Sequence, residues 1–175
     1  RGVWVWGPDA GSQACGDVGP GRMLDPTELA LRAVSASQTG PLSGRRILVT
    51  AGPTREAIDP VRFITNHSSG KMGYAVARAA HEMGGDVTVV SGPVAIEPPR
   101  GVAVVRVTSA AEMHAEVMQR AVQCDLFVAA AAVADYTPAH VASSKIKKKA
   151  ADMHIDLARS ADILADVAAL PSARF

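Results

Sequence analysis

Three stretches of this chain collect side chains suited to a charged ligand. The first is Asn66-His67-Ser68-Ser69-Gly70-Lys71-Met72-Gly73, which sets an amide, two hydroxyls and a lysine at the start of a helical pattern. Helix starts present free backbone N–H groups and the positive end of the helix dipole, so this arrangement suits a phosphate. The same residues also read as an ordinary helix start, with Ser68 or Ser69 as the cap and Gly70 and Gly73 allowing close helix–sheet packing. The second stretch is Ala131-Ala132-Val133-Ala134-Asp135, at the end of an apolar run that reads as a strand. Ligands of open α/β sheets bind beyond the carboxyl ends of the strands. The other such ends here are Gly52-Pro53-Thr54 and Ser91-Gly92-Pro93. The third stretch is Lys145-Ile146-Lys147-Lys148-Lys149. A charge run of this kind is either a solvated face or a basic loop that closes over a triphosphate and offsets its charge.

Several chemistries fail against the spacing. No GxGxxG follows the first strand and no acidic residue ends the second, which excludes the usual nicotinamide dinucleotide pattern. GxxxxGK[ST] is absent as well. The two cysteines, Cys15 and Cys124, form neither a CxxC nor a zinc spacing, and they read as reduced thiols. With 48% hydrophobic and 20% charged residues and a net charge of +1, the chain lacks the basic excess on which duplex DNA binding rests. No apolar run approaches the ~18 residues of a membrane span. The N-terminus carries no basic segment followed by an apolar core, so a cytoplasmic protein with no membrane or nucleic-acid partner is expected.

The elements that must position these residues follow an α/β rhythm. Residues 46–51 form a continuous apolar run closed by Gly52-Pro53, as in a parallel strand buried on both faces. A helix is predicted from Gly70 to Gly84-Gly85, then strands over 86–91 and 103–107. A second helix, capped by Thr108 or Ser109, runs to about Val122, and a fourth strand spans 125–130. One more helix is predicted over 160–169, and 172–175 read as the approach to another strand. Together these predict a Rossmann-like, doubly wound, mostly parallel sheet with flanking helices. With only 4% aromatic residues, its core is built from small aliphatic side chains. Residues 1–34 stand apart, with a glycine cluster, both tryptophans and a short helix, and 35–43 read as a linker to a domain over 44–175.

Five ordered motifs carry a specific resemblance. Val49-Thr50-Ala51-Gly52-Pro53-Thr54-Arg55-Glu56 comes first, then Ile58-Asp59-Pro60-Val61-Arg62-Phe63-Ile64 and Asn66 to Gly73. Ala130-Ala131-Ala132-Val133-Ala134-Asp135-Tyr136 and Lys145-Ile146-Lys147-Lys148 complete the set. Over 44–175 the chain resembles the synthetase domain of the phosphopantothenoylcysteine decarboxylase/synthetase family of coenzyme A biosynthesis. The resemblance implies a ligase. CTP, with Mg2+ or another divalent cation, activates the carboxylate of 4′-phosphopantothenate as an acyl-cytidylate, and the amine of cysteine then displaces CMP. It also implies a homo-oligomer. A non-catalytic nucleotide-binding or assembly module of the same fold is the competing expectation.

By this resemblance Asn66 handles the acyl-cytidylate, and an amide that both donates and accepts suits that role. Ala129, Ala130, Ala131 and Asp135 match the nucleotide-binding strand end, and Lys145 matches a lysine presented to the triphosphate. Ser68, Ser69, Gly70 and Lys71 match the phosphate-facing helix start. Ala161, Asp162, Ile163 and Leu164 match a further CTP contact, although Ser160-Ala161 stand where the family commonly has Asn-Pro; Ser160 is still a competent cap. Residues 14–23, Ala14-Cys15-Gly16-Asp17-Val18-Gly19-Pro20-Gly21-Arg22-Met23, resemble the substrate clamp of the family's FMN-dependent decarboxylase. That implies a proton-donor role for Cys15 and makes residues 1–34 the C-terminal remnant of a flavoprotein domain, with no FMN pocket of their own. The family continues past the position of Phe175, so this span is expected to be inactive by itself.

Overall fold

The computed structural model describes residue 3 and residues 5–13, 15–37, 40–148 and 152–171, with only the backbone of Ser35 and Ser37. Ala14, Lys149 and the expected strand approach at 172–175 lie outside the described residues. The chain divides into two compact units, Arg1–Thr39 and Gly40–Phe175.

The first unit is small. β1 (Asp9–Ser12) and β2 (Val18–Arg22) pair antiparallel, and α1 spans Pro26–Ser37. Asp25 opens α1, its carboxylate accepting from the Thr27 N–H at 2.8 Å. The helix corrects the linker expectation, because Ser35, Ala36 and Ser37 are its last turn. On the other side, Leu42 donates from its backbone to the Met83 carbonyl at 3.0 Å, so residues 40–43 belong to the second unit. Gly40 is required there, since a Cβ on it would lie 2.0 Å from that carbonyl oxygen.

The second unit is a four-stranded parallel sheet flanked by helices. Its strands are β3 (Arg46–Ala51), β6 (Asp86–Ser91), β7 (Ala103–Arg106) and β8 (Leu126–Ala129), in the spatial order β7-β6-β3-β8. Two antiparallel ribbons join it: β4 (Arg55–Ala57) with β5 (Phe63–Thr65), and β9 (Tyr136–Pro138) with β10 (Leu157–Arg159). Neither ribbon announces itself in the sequence, because each strand has only three residues.

Alternation along β3 assigns the two faces. Ile47, Val49 and Ala51 pack with Tyr74, Ala77 and Ala80 of α2 (Lys71–Glu82). Leu48 packs with Met113 and Val117 of α3 (Ala110–Ala121) and with Ile163 and Val167 of α4 (Ile163–Ala168). Both faces are therefore dry, which explains why the strand reads as continuously apolar. Fully burying a valine, leucine, isoleucine or methionine side chain contributes about 1.5–3 kcal/mol. Gly73 lets α2 lie close, since a Cβ there would come within 2.5 Å of the Ala51 Cβ. Ser109 is the N-cap of α3, accepting from the Glu112 N–H at 3.2 Å, while Glu112 accepts from the Thr108 N–H at 2.7 Å. The buried Glu56 adds a bond from the Ala110 N–H at 2.9 Å, which ties β4 to that helix start. Among the described residues no helix is long and apolar enough to cross a membrane.

Candidate functional site

Strand order locates the site. From β3 the chain runs outward to β6 and β7, then returns to the opposite side of β3 as β8. Between β3 and β8 the winding reverses, and the loops beyond their carboxyl ends diverge to leave a crevice. A cleft of about 590 Å³ lies there, lined by Thr50 of β3, Ala129 of β8 and the loop that follows through Asp135. Its other wall is Arg159, Ser160 and the residues from Ala161 to Leu164 that open α4.

Backbone hydrogen bonds hold the first wall in shape. Thr50 Oγ1 accepts from the N–H groups of both Ala130 and Ala131 at 3.2 Å. The Ala132 N–H donates to the Gly52 carbonyl at 2.9 Å, and the Ala134 N–H to Thr54 Oγ1 at 3.0 Å. The Asn66 side-chain amide donates to the Ala132 carbonyl at 2.6 Å, and its oxygen accepts from the Ser68 N–H at 3.0 Å. One short asparagine thus joins the wall of the cleft to the entry of α2. Gly52 and Gly70 both need positive φ, 76° and 75°, where glycine alone is unstrained, and Val94 packs over both.

At the second wall, the Ser160 N–H donates to the Asp135 carbonyl at 2.8 Å. The Asp135 carboxylate is exposed, and among the described residues nothing pairs with it. Ser160 does not cap α4. Asp162 does, accepting from the Ala165 N–H at 3.0 Å. The Ser160 hydroxyl is instead buried in the cleft wall without a partner among the described residues. Leaving a buried hydroxyl unpaired costs about 1–3 kcal/mol.

The expected residues fall into groups. Ala129, Ala131, Asp135, Ala161, Asp162, Ile163 and Leu164 line the one cleft, and Ala130 stands behind it, its N–H held by Thr50. Asn66 is joined to it through Ala132. Ser68, Ser69, Gly70 and Lys71 lie at the start of α2 and do not line it. Neither serine is the N-cap of α2: Gly70 is, in the left-handed conformation and without a side-chain cap bond. That correction leaves the first amides of α2 without a capping side chain. Lys145 is exposed and does not line the cleft. Cys15 is exposed in the turn of the first unit, its Sγ 3.7 Å from Asp17 Oδ2. The sequence reading missed Thr50, Tyr136 and Arg159 as cleft residues. A polar residue inside the otherwise apolar β3 was the available signal for Thr50.

Electrostatics single out a group in the turn that joins β4 to β5. The Asp59 side chain is fully buried and accepts from Arg62 Nε at 3.0 Å, from the Ile146 N–H at 3.0 Å, and from the Val61 and Arg62 N–H groups at 2.8 Å each. The Arg62 guanidinium first, and then the Ile146 amide, hold its carboxyl far below the usual carboxylate range. By contrast, burial raises the Cys124 thiol above its ordinary value.

The fold and cleft define a doubly wound α/β protein with its ligand crevice at the reversal of strand order. Residues 42–175 match the DNA/pantothenate metabolism flavoprotein C-terminal domain, and the chain belongs to that family. It is 55% identical over 176 residues to the coenzyme A biosynthesis bifunctional protein CoaBC of Vibrio parahaemolyticus, covering 99% of this chain and 44% of that protein. It is 52% identical over 178 residues to the CoaBC of Escherichia coli K12, with the same coverage of 99% and 44%. The chain therefore spans less than half the length of these curated relatives. A crystal structure of the C-terminal domain of CoaBC shares 48% identity and a TM-score of 0.65, over 75% of this chain and 61% of that one.

Proposed function

We propose that the second unit belongs to the CTP-dependent phosphopantothenate–cysteine ligase of coenzyme A biosynthesis, a cytoplasmic reaction. The observation that carries this reading is the single cleft gathering Ala129, Ala131, Asp135 and residues 161–164 at the reversal point of the sheet. A carboxylate is a poor electrophile, so the reaction runs through activation. An oxygen of the phosphopantothenate carboxylate attacks the α-phosphorus of CTP and pyrophosphate leaves. The amine of cysteine then attacks the acyl carbon, loses a proton and expels CMP.

In this reading the unpaired Asp135 carboxylate takes the ribose hydroxyls, and the N-terminal turn of α4 borders the nucleotide. The uncapped start of α2, with Ser68, Ser69 and Lys71, faces the phosphate of phosphopantothenate. Asn66 holds the acyl-cytidylate, and Lys145 meets the triphosphate. A divalent cation fits a substrate-borne role, because no group of three or more His, Cys, Asp or Glu among the described residues forms a cage. Magnesium is commonly held by one or two carboxylates together with substrate phosphates. The first unit, with Cys15, is read as the end of an FMN-dependent decarboxylase domain whose flavin pocket lies elsewhere in the polypeptide. A homo-oligomer is part of the same reading.

The test uses a full-length CoaBC polypeptide carrying this span. Titration calorimetry with CTP reads binding, and pyrophosphate release with phosphopantothenate reads activation. CTP binding and pyrophosphate release are expected, followed by amide product once cysteine is added. Binding without release would leave a nucleotide-binding module, and no binding would end the proposal.

A further inference from the structure

Among the described residues between β9 and β10, the segment that carries the basic run has no regular structure, yet it is not loosely placed. Among the described residues, the hydrogen bonds that hold it between residues 140 and 148 all come from the turn joining β4 to β5. The Ala142 N–H donates to the Ile58 carbonyl at 3.0 Å. The Ile146 N–H donates to Asp59 Oδ2 at 3.0 Å, and Arg62 Nη2 donates to the Ile146 carbonyl at 2.9 Å. Arg62 Nη2 also donates to Asp59 Oδ2 at 2.5 Å, which closes a ring of carboxylate, guanidinium and backbone. Both backbone polar groups of Ile146 are thus held by one ion pair whose carboxylate is fully buried. Lys145 and Lys147 flank the held residue.

The same ribbon reaches the cleft at its other end. Asn66 directly follows β5 and bonds Ala132, while Thr65 Oγ1 donates to the Thr54 carbonyl at 2.6 Å. Arg55 stacks over the Phe63 ring at 4.7 Å and braces the two strands. A short braced ribbon therefore connects the cleft wall to the basic segment. The ring of bonds around Asp59 sits where an unstructured lysine segment would otherwise swing freely.

We propose that Asp59 is a positioning residue that, with Arg62, grips Ile146 and so sets the reach of Lys145 toward a nucleotide phosphate in the cleft. This rests on the reading of Lys145 as a triphosphate contact. Holding a charged group in place before the ligand arrives removes the cost of ordering it during reaction, and small misplacements are expensive. Asp59 touches no substrate in this account; it acts through Lys145.

A double-mutant cycle tests it in the full-length polypeptide, with pyrophosphate release from CTP and phosphopantothenate as the measurement. Asp59→Asn and Lys145→Gln are each expected to lower kcat/KM for CTP by on the order of tenfold or more, and the double variant to fall no further than the worse single variant. Costs that multiply would overturn the grip while leaving the role of Lys145 intact. A neutral Lys145→Gln would instead remove the phosphate reading, and the proposal with it. Amide exchange over 142–148 reads the grip without turnover: roughly tenfold faster exchange is expected in Asp59→Asn, with β3 unchanged. Unchanged exchange at Ile146 would overturn the proposal. Should Asp59→Asn fail to fold, Ile146→Pro takes its place in the cycle, since it removes the gripped N–H in an exposed segment and leaves the Asp59–Arg62 pair in place, and the same outcomes decide.

Discussion

The Asn66 side-chain amide and the Ala132 carbonyl oxygen lie 2.6 Å apart, the amide donating across 66 positions of sequence. Ala132 also accepts from the Thr54 N–H at 3.3 Å, so the cleft wall is pinned at this one carbonyl from two directions. The relationship ties the loop after β8 to the start of α2, where in the proposed reaction CTP and phosphopantothenate would meet.

Asn66→Asp replaces a donor with a second carboxylate oxygen aimed at that carbonyl. In the full-length polypeptide, activation by CTP should persist in part while amide formation falls, by ~5- to 150-fold if the loss is about 1–3 kcal/mol. Quenched reactions should then accumulate the acyl-cytidylate. Normal product with no accumulated intermediate would take Asn66 out of this role.

Thr50→Val keeps the shape of the side chain in β3 but removes the acceptor shared by Ala130 and Ala131. Two amides beside the cleft then lack their partner, at a cost of about 1–3 kcal/mol. The CTP dissociation constant measured by calorimetry should rise by roughly tenfold or more. An unchanged constant would show that the loop keeps its shape without Thr50.

Asp59 gives the acid stability a sign. Its folded carboxyl titrates below the ordinary value of 3.8, held down by Arg62 and then by the Ile146 amide. The stabilisation is therefore full above the unfolded value and is lost as pH falls below it toward the folded one. Urea midpoints of wild type and Asp59→Asn should differ at pH 6 and converge as the pH is taken well below 4. A gap that stays constant over that range would mean that the carboxylate charge contributes nothing.

Gly73→Ala tests how tightly α2 lies on the sheet. The added methyl meets the Ala51 Cβ at 2.5 Å and the Thr50 carbonyl at 2.9 Å, so the helix must lift. Overpacking of this kind costs about 1–3 kcal/mol, whereas Met72→Ala, at a side chain 71% exposed, should change stability by no more than about 0.5 kcal/mol. Equal denaturation midpoints for the two variants would contradict the close contact.

Much of the second unit was legible because burial leaves a local trace. β3, β6, β7 and β8 are parallel and mostly apolar, and α2 stops just before the glycine pair, Gly84-Gly85, that ends its pattern. Strand-end positions pointed to Asp135 and the alanines before it, and the family resemblance pointed to residues 161–164. What neighbouring residues do not record is pairing over distance. The ribbons β4–β5 and β9–β10 have three-residue strands, too short for any period to show. Whether Ser160 or Asp162 capped α4 turned on backbone geometry, because both residue types cap well. Thr50 read as part of a strand, and only the approach of β8 brought the Ala130 and Ala131 amides to its hydroxyl. Asp59 stood in one of the ordered motifs with no role of its own, and only the tertiary fold delivered Ile146 to it from 87 positions away. The sequence by itself determined which segments bury and which strand ends border the cleft. The folded chain decided which polar groups meet, because a hydrogen bond depends on positions in space that no local pattern encodes.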